Sequence, residues 1–136
     1  FTDLNVALVL IACTALPSLR DASFLNSLFV LVSFHVAGVV DPTVFARMRA
    51  KRRWTPRVFH VGNVLVHVAP TIATADTSES IGASDALIAH AIFLVWLIVA
   101  PPMDEVYVPM STRAWTISIA SGVVAQLAWI VASPPI

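Results

Sequence analysis

The sequence predicts an all-α fold: a multi-pass bundle of four or five transmembrane helices in a single domain, residues 1–136. Three observations predict it. The composition is 58% hydrophobic and only 12% charged over 136 residues, with a mean hydropathy of +0.85. Soluble domains carry about 25% charged residues. The apolar residues gather into runs near the roughly 20 residues that a helix needs to cross a bilayer. No alternating pattern marks a barrel strand, and lipid leaves only helices and closed barrels as spanning structures.

Five apolar segments are expected, at about 4–19, 22–40, 57–75, 85–101 and 112–132. The first is short, lacks the basic flank of a signal peptide, and reads as a retained membrane segment that has lost its first turn. Asp21 or Ser23 can cap the second. Thr55-Pro56 is a side-chain cap followed by proline at the first helical position, a strong start for the third. Ser84 or Asp85 can cap the fourth, which stops at Pro101-Pro102. Ser111 or Thr112 can cap the fifth. The stretch "PPMDEVYVPM" reads as a semi-rigid interfacial segment, "TADTSESIGASD" as an exposed linker, and the terminal "SPPI" as an end in the headgroup region.

Six of the eight basic residues lie together: Arg47, Arg49, Lys51, Arg52, Arg53 and Arg57. The positive-inside rule places this loop, 44–57, on the cytoplasmic side, or on the matrix or stromal side of an organelle. Asp104, Glu105 and Arg113 fit that orientation least well. Asp41 and Pro42 read as cap and first residue of a short interfacial helix within 42–57. Val44, Phe45 and Met48 form its apolar side, and the bases face lipid headgroups. An ordinary topology-setting loop is the simpler alternative. Trp54 suits the aromatic belt in either case. The net charge of +0 gives no sign of a nucleic-acid partner.

All four histidines, His35, His60, His67 and His90, fall within expected spans. On the third segment, about 100° per residue puts His60, Asn63, His67, Pro70, Thr71 and Thr74 on one face. This polar stripe should point at protein or water, not lipid. Hydrogen bonding between helices is its simplest role. A cofactor or proton site is the sharper one. Counted from the basic side, His60 lies about 6 Å deep, His35 about 10 Å, His67 about 16 Å and His90 about 20 Å. The levels pair His35 with His60 and His67 with His90. Haem ligation needs imidazoles at matched depth, a quinone needs one donor, and a proton relay needs a chain of them.

Other chemistries are excluded or disfavoured. Lys51 is the only lysine and lies in the basic loop, so no buried amine exists for retinal. Cys13 is the only cysteine, which rules out an intrachain disulfide and a cysteine cluster. His60 and His67 stand about 10 Å apart along the axis, too far for one zinc ion. No embedded carboxylate can orient a catalytic histidine.

On the fifth segment Ser118, Ser121, Gly122 and Ala125 form a small-residue face, against another helix of the chain or against a neighbouring subunit. Gln126 should bond across helices, and Asn26 and Ser33 share a face of the second. The functional expectation is a small non-catalytic subunit of a larger membrane assembly, with lipids and other membrane subunits as partners. The alternative is a histidine-lined site for haem, quinone or protons. An intramembrane enzyme using His60 or His67 as base ranks third.

Overall fold

The computed structural model describes residues 2–75, 81, 83–99 and 109–132. Among them the structure is helical throughout: α1 (Thr2–Thr14), a 3-10 turn (Pro17–Leu19), α2 (Arg20–Val40), α3 (Val44–Arg52), α4 (Pro56–Asn63), a π-helical turn (Val64–Val68), α5 (Ala69–Ala75), α6 (Ala83–Val99) and α7 (Thr112–Ala132). Among the described residues three stretches are long and apolar enough to cross a membrane: Pro17–Val40 (24 residues), Pro56–Ala75 (20 residues) and Thr112–Ala132 (21 residues). The apolar parts of α1 and α6 are shorter. The expected features at 76–80, 101–107 and 133–136 lie outside the described residues.

Helix boundaries follow local chemistry. The expected segment 4–19 is not one helix, because α1 ends at Thr14. Ala15 and Leu16 both donate to the Ile11 carbonyl as the helix unwinds. Pro17 has no N–H with which to continue it. The 3-10 turn then feeds α2, whose N-cap is Leu19 with no side-chain cap. Asp21 and Ser23 are therefore interior residues of the helix, not its caps. Thr55 caps α4 by accepting from the Val58 N–H at 3.3 Å. Ser111 caps α7 by accepting from the Ala114 N–H at 3.1 Å.

The third segment holds a feature its hydropathy hides. Pro70 removes one intrahelical donor, and its ring would press on the carbonyl four residues back. The chain answers with the wide turn at Val64–Val68, where the Ala69 N–H bonds the Val64 carbonyl. A π-turn of this kind relieves a proline inside a helix without breaking it.

Helix α2 is the hub, packed against α1, α3, α5, α6 and α7. Ala22 through Ser27 are all buried. On α7 the buried residues are Ala114, Ser118, Gly122 and Gln126, one every four positions. This stripe of mostly small residues lets α7 lie close on α2. Gly122 faces Phe29 and Ser33, and Phe24 meets Trp129 with ring centroids 4.8 Å apart. The two helices are therefore antiparallel. Helix α6 runs parallel to α2, since Ala89 joins the cluster of Phe24 and Leu25 while Phe93 meets Phe29 at 5.2 Å.

The interior is more polar than the outside. Asn5, Ser23, Asn26, Ser27, His67, Thr71, Thr74, Ser118 and Gln126 are buried. Leu65, Ile72, Leu87, Ile98, Val124 and Val131 are exposed. A water-soluble bundle shows the reverse arrangement.

Candidate functional site

The predicted polar stripe of the third segment divides at the π-turn. His67, Pro70, Thr71 and Thr74 are buried, Asn63 is half-buried, and His60 is exposed. A uniform helix would have kept them on one face. The π-turn holds about one extra residue, which rotates α4 relative to α5 by about 100°. The deep half faces α1 and α2, where α5 packs. Its threonines bond within their own helix: Thr71 Oγ1 donates to the His67 carbonyl at 3.2 Å, and Thr74 Oγ1 to the Pro70 carbonyl at 2.8 Å.

His67 is 5% exposed and stacks on Phe34, with centroids 3.9 Å apart and planes 19° from parallel. Its Nδ1 is buried with no hydrogen-bond partner among the described residues. His35 is exposed, and its Nδ1 lies 2.7 Å from the Leu31 carbonyl of its own helix. His90 is half-buried, with Nδ1 2.7 Å from the Ala86 carbonyl. A carbonyl only accepts, so both rings carry a proton on Nδ1.

The expected pairing of His67 with His90 does not form. His67 stands beside Phe34 of α2, whereas His90 follows Ala89, which packs at Phe24 and Leu25. The two levels differ by about nine residues of α2, or roughly 13 Å. Among the described residues no group of three His, Cys, Asp or Glu side chains could hold a metal ion.

From His67 an aromatic column runs to the basic end. Phe34 stacks on Phe45 at 4.8 Å and 20°, and Phe45 meets Phe59 at 5.5 Å. Phe45 belongs to α3, and its ring lies directly on Gly38 of α2. Any β-carbon at 38 would occupy that space. Val44 is buried and Met48 half-buried, so the apolar side of α3 faces the bundle.

Asp41 does not begin α3 as a cap with Pro42 behind it. It terminates α2, accepts from the Thr43 N–H at 3.2 Å, and pairs with Arg47 at 2.6 Å. Helix α3 starts at Val44 because the carboxylate is engaged by Arg47 and Thr43. Arg47 also donates to the Pro109 carbonyl at 2.9 Å, which ties the start of α7 to the basic end. Arg113 therefore joins the six clustered bases at one end of the bundle, while Arg20 opens α2 at the other.

The Arg47 guanidinium beside Asp41, helped by Thr43, holds the Asp41 carboxyl below the usual carboxylate range. A lowered folded-state value means that the bond contributes stability above the unfolded value of about 3.9 and loses it as pH falls through the lower folded value. We expect α3 to stay docked from neutral pH down to about 4 and to loosen below it. A nitroxide at Ala50→Cys in a Cys13→Ser background should gain mobility there. Asp41→Asn should be mobile at every pH. Equal mobility in both proteins across the range would refute the clamp.

Arg49, Arg52, Arg53 and Arg57 have no acidic partner among the described residues. Arg52 lies over the Trp54 ring, 5.9 Å from its centroid. Arg53 closes α3 in the left-handed region with φ 54°, its N–H on the Ala50 carbonyl and the Trp54 N–H on the Arg49 carbonyl. These bonds make a helix stop that usually uses glycine. Arginine here costs about 1 kcal/mol.

On α7, Ser118 and Gly122 are buried, and Ser121 and Ala125 flank them half-buried. Gln126 Nε2 donates to the Leu25 carbonyl at 2.9 Å, a bond across helices. Sequence reasoning missed a second polar node, in which Asn5 Oδ1 accepts from Asn26 Nδ2 at 2.7 Å and from Ser27 Oγ at 3.1 Å. Asn5 in an apolar run was the available signal. Pro70 was the signal for the π-turn.

No protein-family model, curated protein or solved structure matches this chain.

Proposed function

We propose that the chain is a small non-catalytic subunit of a larger membrane assembly, embedded through four or five helices with its basic end on the cytoplasmic, matrix or stromal side. One observation carries this reading. Many polar groups of the apolar helices are engaged in internal bonds, Asn5 with Asn26 and Ser27, Gln126 with Leu25, and Thr71, Thr74, His35 and His90 with their own helices, while Ser23 and Ser33 Oγ have no partner among the described residues. Those that cross between helices, at Asn5 and Gln126, stabilise a bundle by about 0.6–2 kcal/mol each. The outward faces of α5, of α6 from Leu87 and of α7 from Ala120 are apolar and present neighbours with shape instead of chemistry. Purification of the tagged chain in mild detergent should recover stoichiometric partner chains. A homogeneous monomer with no partner would overturn the subunit role.

A second reading is favoured by His67, whose buried Nδ1 has no hydrogen-bond partner among the described residues. A lone embedded imidazole suits a quinone carbonyl or a proton better than haem, since His67 and His90 stand at different levels. An absorption spectrum of the purified protein, oxidised and then reduced, tests the haem case. A Soret band that shifts on reduction and disappears in His67→Ala would establish haem and displace the subunit reading.

A further inference from the structure

The outer side of the third span carries two features that neither the internal packing nor the histidine uses. The first is a surface groove of about 290 Å³ where α4 runs into the π-turn, lined by His60, Val61, Val64 and Leu65. Its walls are apolar, so His60 contributes carbon to it and not a nitrogen. It lies just below the size range of ligand sites, about 300 to 1,000 Å³. Such a groove takes hydrocarbon and offers no hydrogen bond to a polar headgroup. The second feature is the cluster of guanidiniums at its head. Arg57 lies one turn before Val61 on the same exposed face of α4, about 40° away in projection. Arg52 and Arg53 end α3 just across the corner, with Trp54 between them and Thr55. Arg47 is not part of this cluster, since Asp41 already neutralises it.

Positive charge above an apolar slot, on a helix placed in a bilayer, matches one class of molecule. We propose that the α3–α4 corner binds an anionic phospholipid, with an acyl chain in the groove of Val61, Val64 and Leu65 and the phosphate on Arg57 with Arg52 and Arg53. The charge complementarity follows from the absence of a neighbouring carboxylate among the described residues. The apolar walls exclude the reverse orientation, with the headgroup in the groove. Trp54 holds the corner at headgroup depth, as interfacial tryptophans do. Docking of α3 through Phe45 and Gly38 anchors the end of α3 that carries Arg52 and Arg53 to the bundle. The proposal rests on the third span lying in a membrane. It does not depend on the chain being a subunit.

The test is native mass spectrometry of the full chain, purified in detergent with whatever partners accompany it. Phosphatidylglycerol or phosphatidylcholine is added at equal concentration. The wild type should retain phosphatidylglycerol at least fivefold better than phosphatidylcholine. The double variant Arg53→Gln, Arg57→Gln should lose that preference. Val64→Trp, which fills the groove and leaves every charge in place, should lose retention of either lipid. Arg113→Gln removes a charge at the same end of the bundle and should change nothing. Equal retention of the two lipids, or an Arg113→Gln effect as large as the double variant's, would show charge without a site and overturn the proposal. Undiminished retention in Val64→Trp would overturn the groove as the seat. Wild-type selectivity in a chain that purifies alone would keep the lipid site and remove only the subunit reading. Release of the chain from membranes by alkaline carbonate would remove both.

Discussion

Gly122→Leu should lower the thermal midpoint of the purified protein more than any other single substitution on α7. A β-carbon at 122 would lie 2.7 Å from Phe29 Cδ2 and would also meet the Ser33 hydroxyl. The hydroxyl can rotate away. The Phe29 ring cannot, because it is 7% exposed and held against Phe93 at 5.2 Å. Replacing a helical glycine gains about 1 kcal/mol of propensity. Overpacking costs about 1–3 kcal/mol, and more when several carbons are added. For alanine the two terms are comparable, so Gly122→Ala should be mild. For leucine the clash wins, and α7 must move off α2, breaking the Gln126 bond to Leu25. The second variant Phe29→Ala opens space at the same place. Gly122→Leu in that background should cost less than in the wild type. Equal costs in both backgrounds would show that the contact does not set the helix spacing.

Phe34→Ala should be the second large effect, and it should be felt at two separated places. Phe34 is the middle ring of the column His67–Phe34–Phe45. Removing a packed phenylalanine costs about 3–5 kcal/mol when it is fully buried. Phe34 is half-buried, so about 2–3 kcal/mol is expected, or a fall of roughly 5–15 °C in the midpoint. The second effect is local. Phe45 loses the ring it stacks on, so α3 should undock and its basic sites from Arg49 to Arg53 should become open to trypsin in the native state. Phe34→Leu keeps most of the volume and should protect α3 better than alanine does. A lowered midpoint with unchanged cleavage would mean that α3 is held by the Asp41–Arg47 clamp alone.

Both predictions use contacts that hydropathy does not report. Composition was enough for the helical class, because a chain this apolar must satisfy its backbone within helices. The Thr55-Pro56 and Ser111 starts were legible because caps act within four residues. The apolar side of α3 was legible at Val44, Phe45 and Met48 for the same reason. The small-residue face of α7 was read in part. Ser118 and Gly122 are central to it, but the buried stripe continues to Ala114 and Gln126 instead of spreading to Ser121 and Ala125.

The histidines show where the sequence ran out. Helical spacing put His60 and His67 on one face, and depth counting paired His67 with His90. Both inferences assume an unbroken helix of constant pitch. Pro70 invalidates that assumption by forcing the π-turn, and the rotation it introduces exposes His60 while burying His67. Levels across helices depend on the register of packing, which α2 sets through Phe34 on one side and Phe24 and Leu25 on the other. Likewise, six clustered bases were visible as a charge, but their division was not. Arg47 is clamped to Asp41 and Pro109, and four other arginines lack an acidic neighbour among the described residues.

By itself, then, the sequence determined the helical class and where α4 and α7 start, because those outcomes depend on apolar length and local hydrogen bonding. The tertiary structure alone decided which polar residues meet, which face of the third span turns outward and which arginines lack an acidic partner among the described residues. Those outcomes depend on helix phase and register. One proline or one glycine can reset both, while the hydropathy of the chain stays the same.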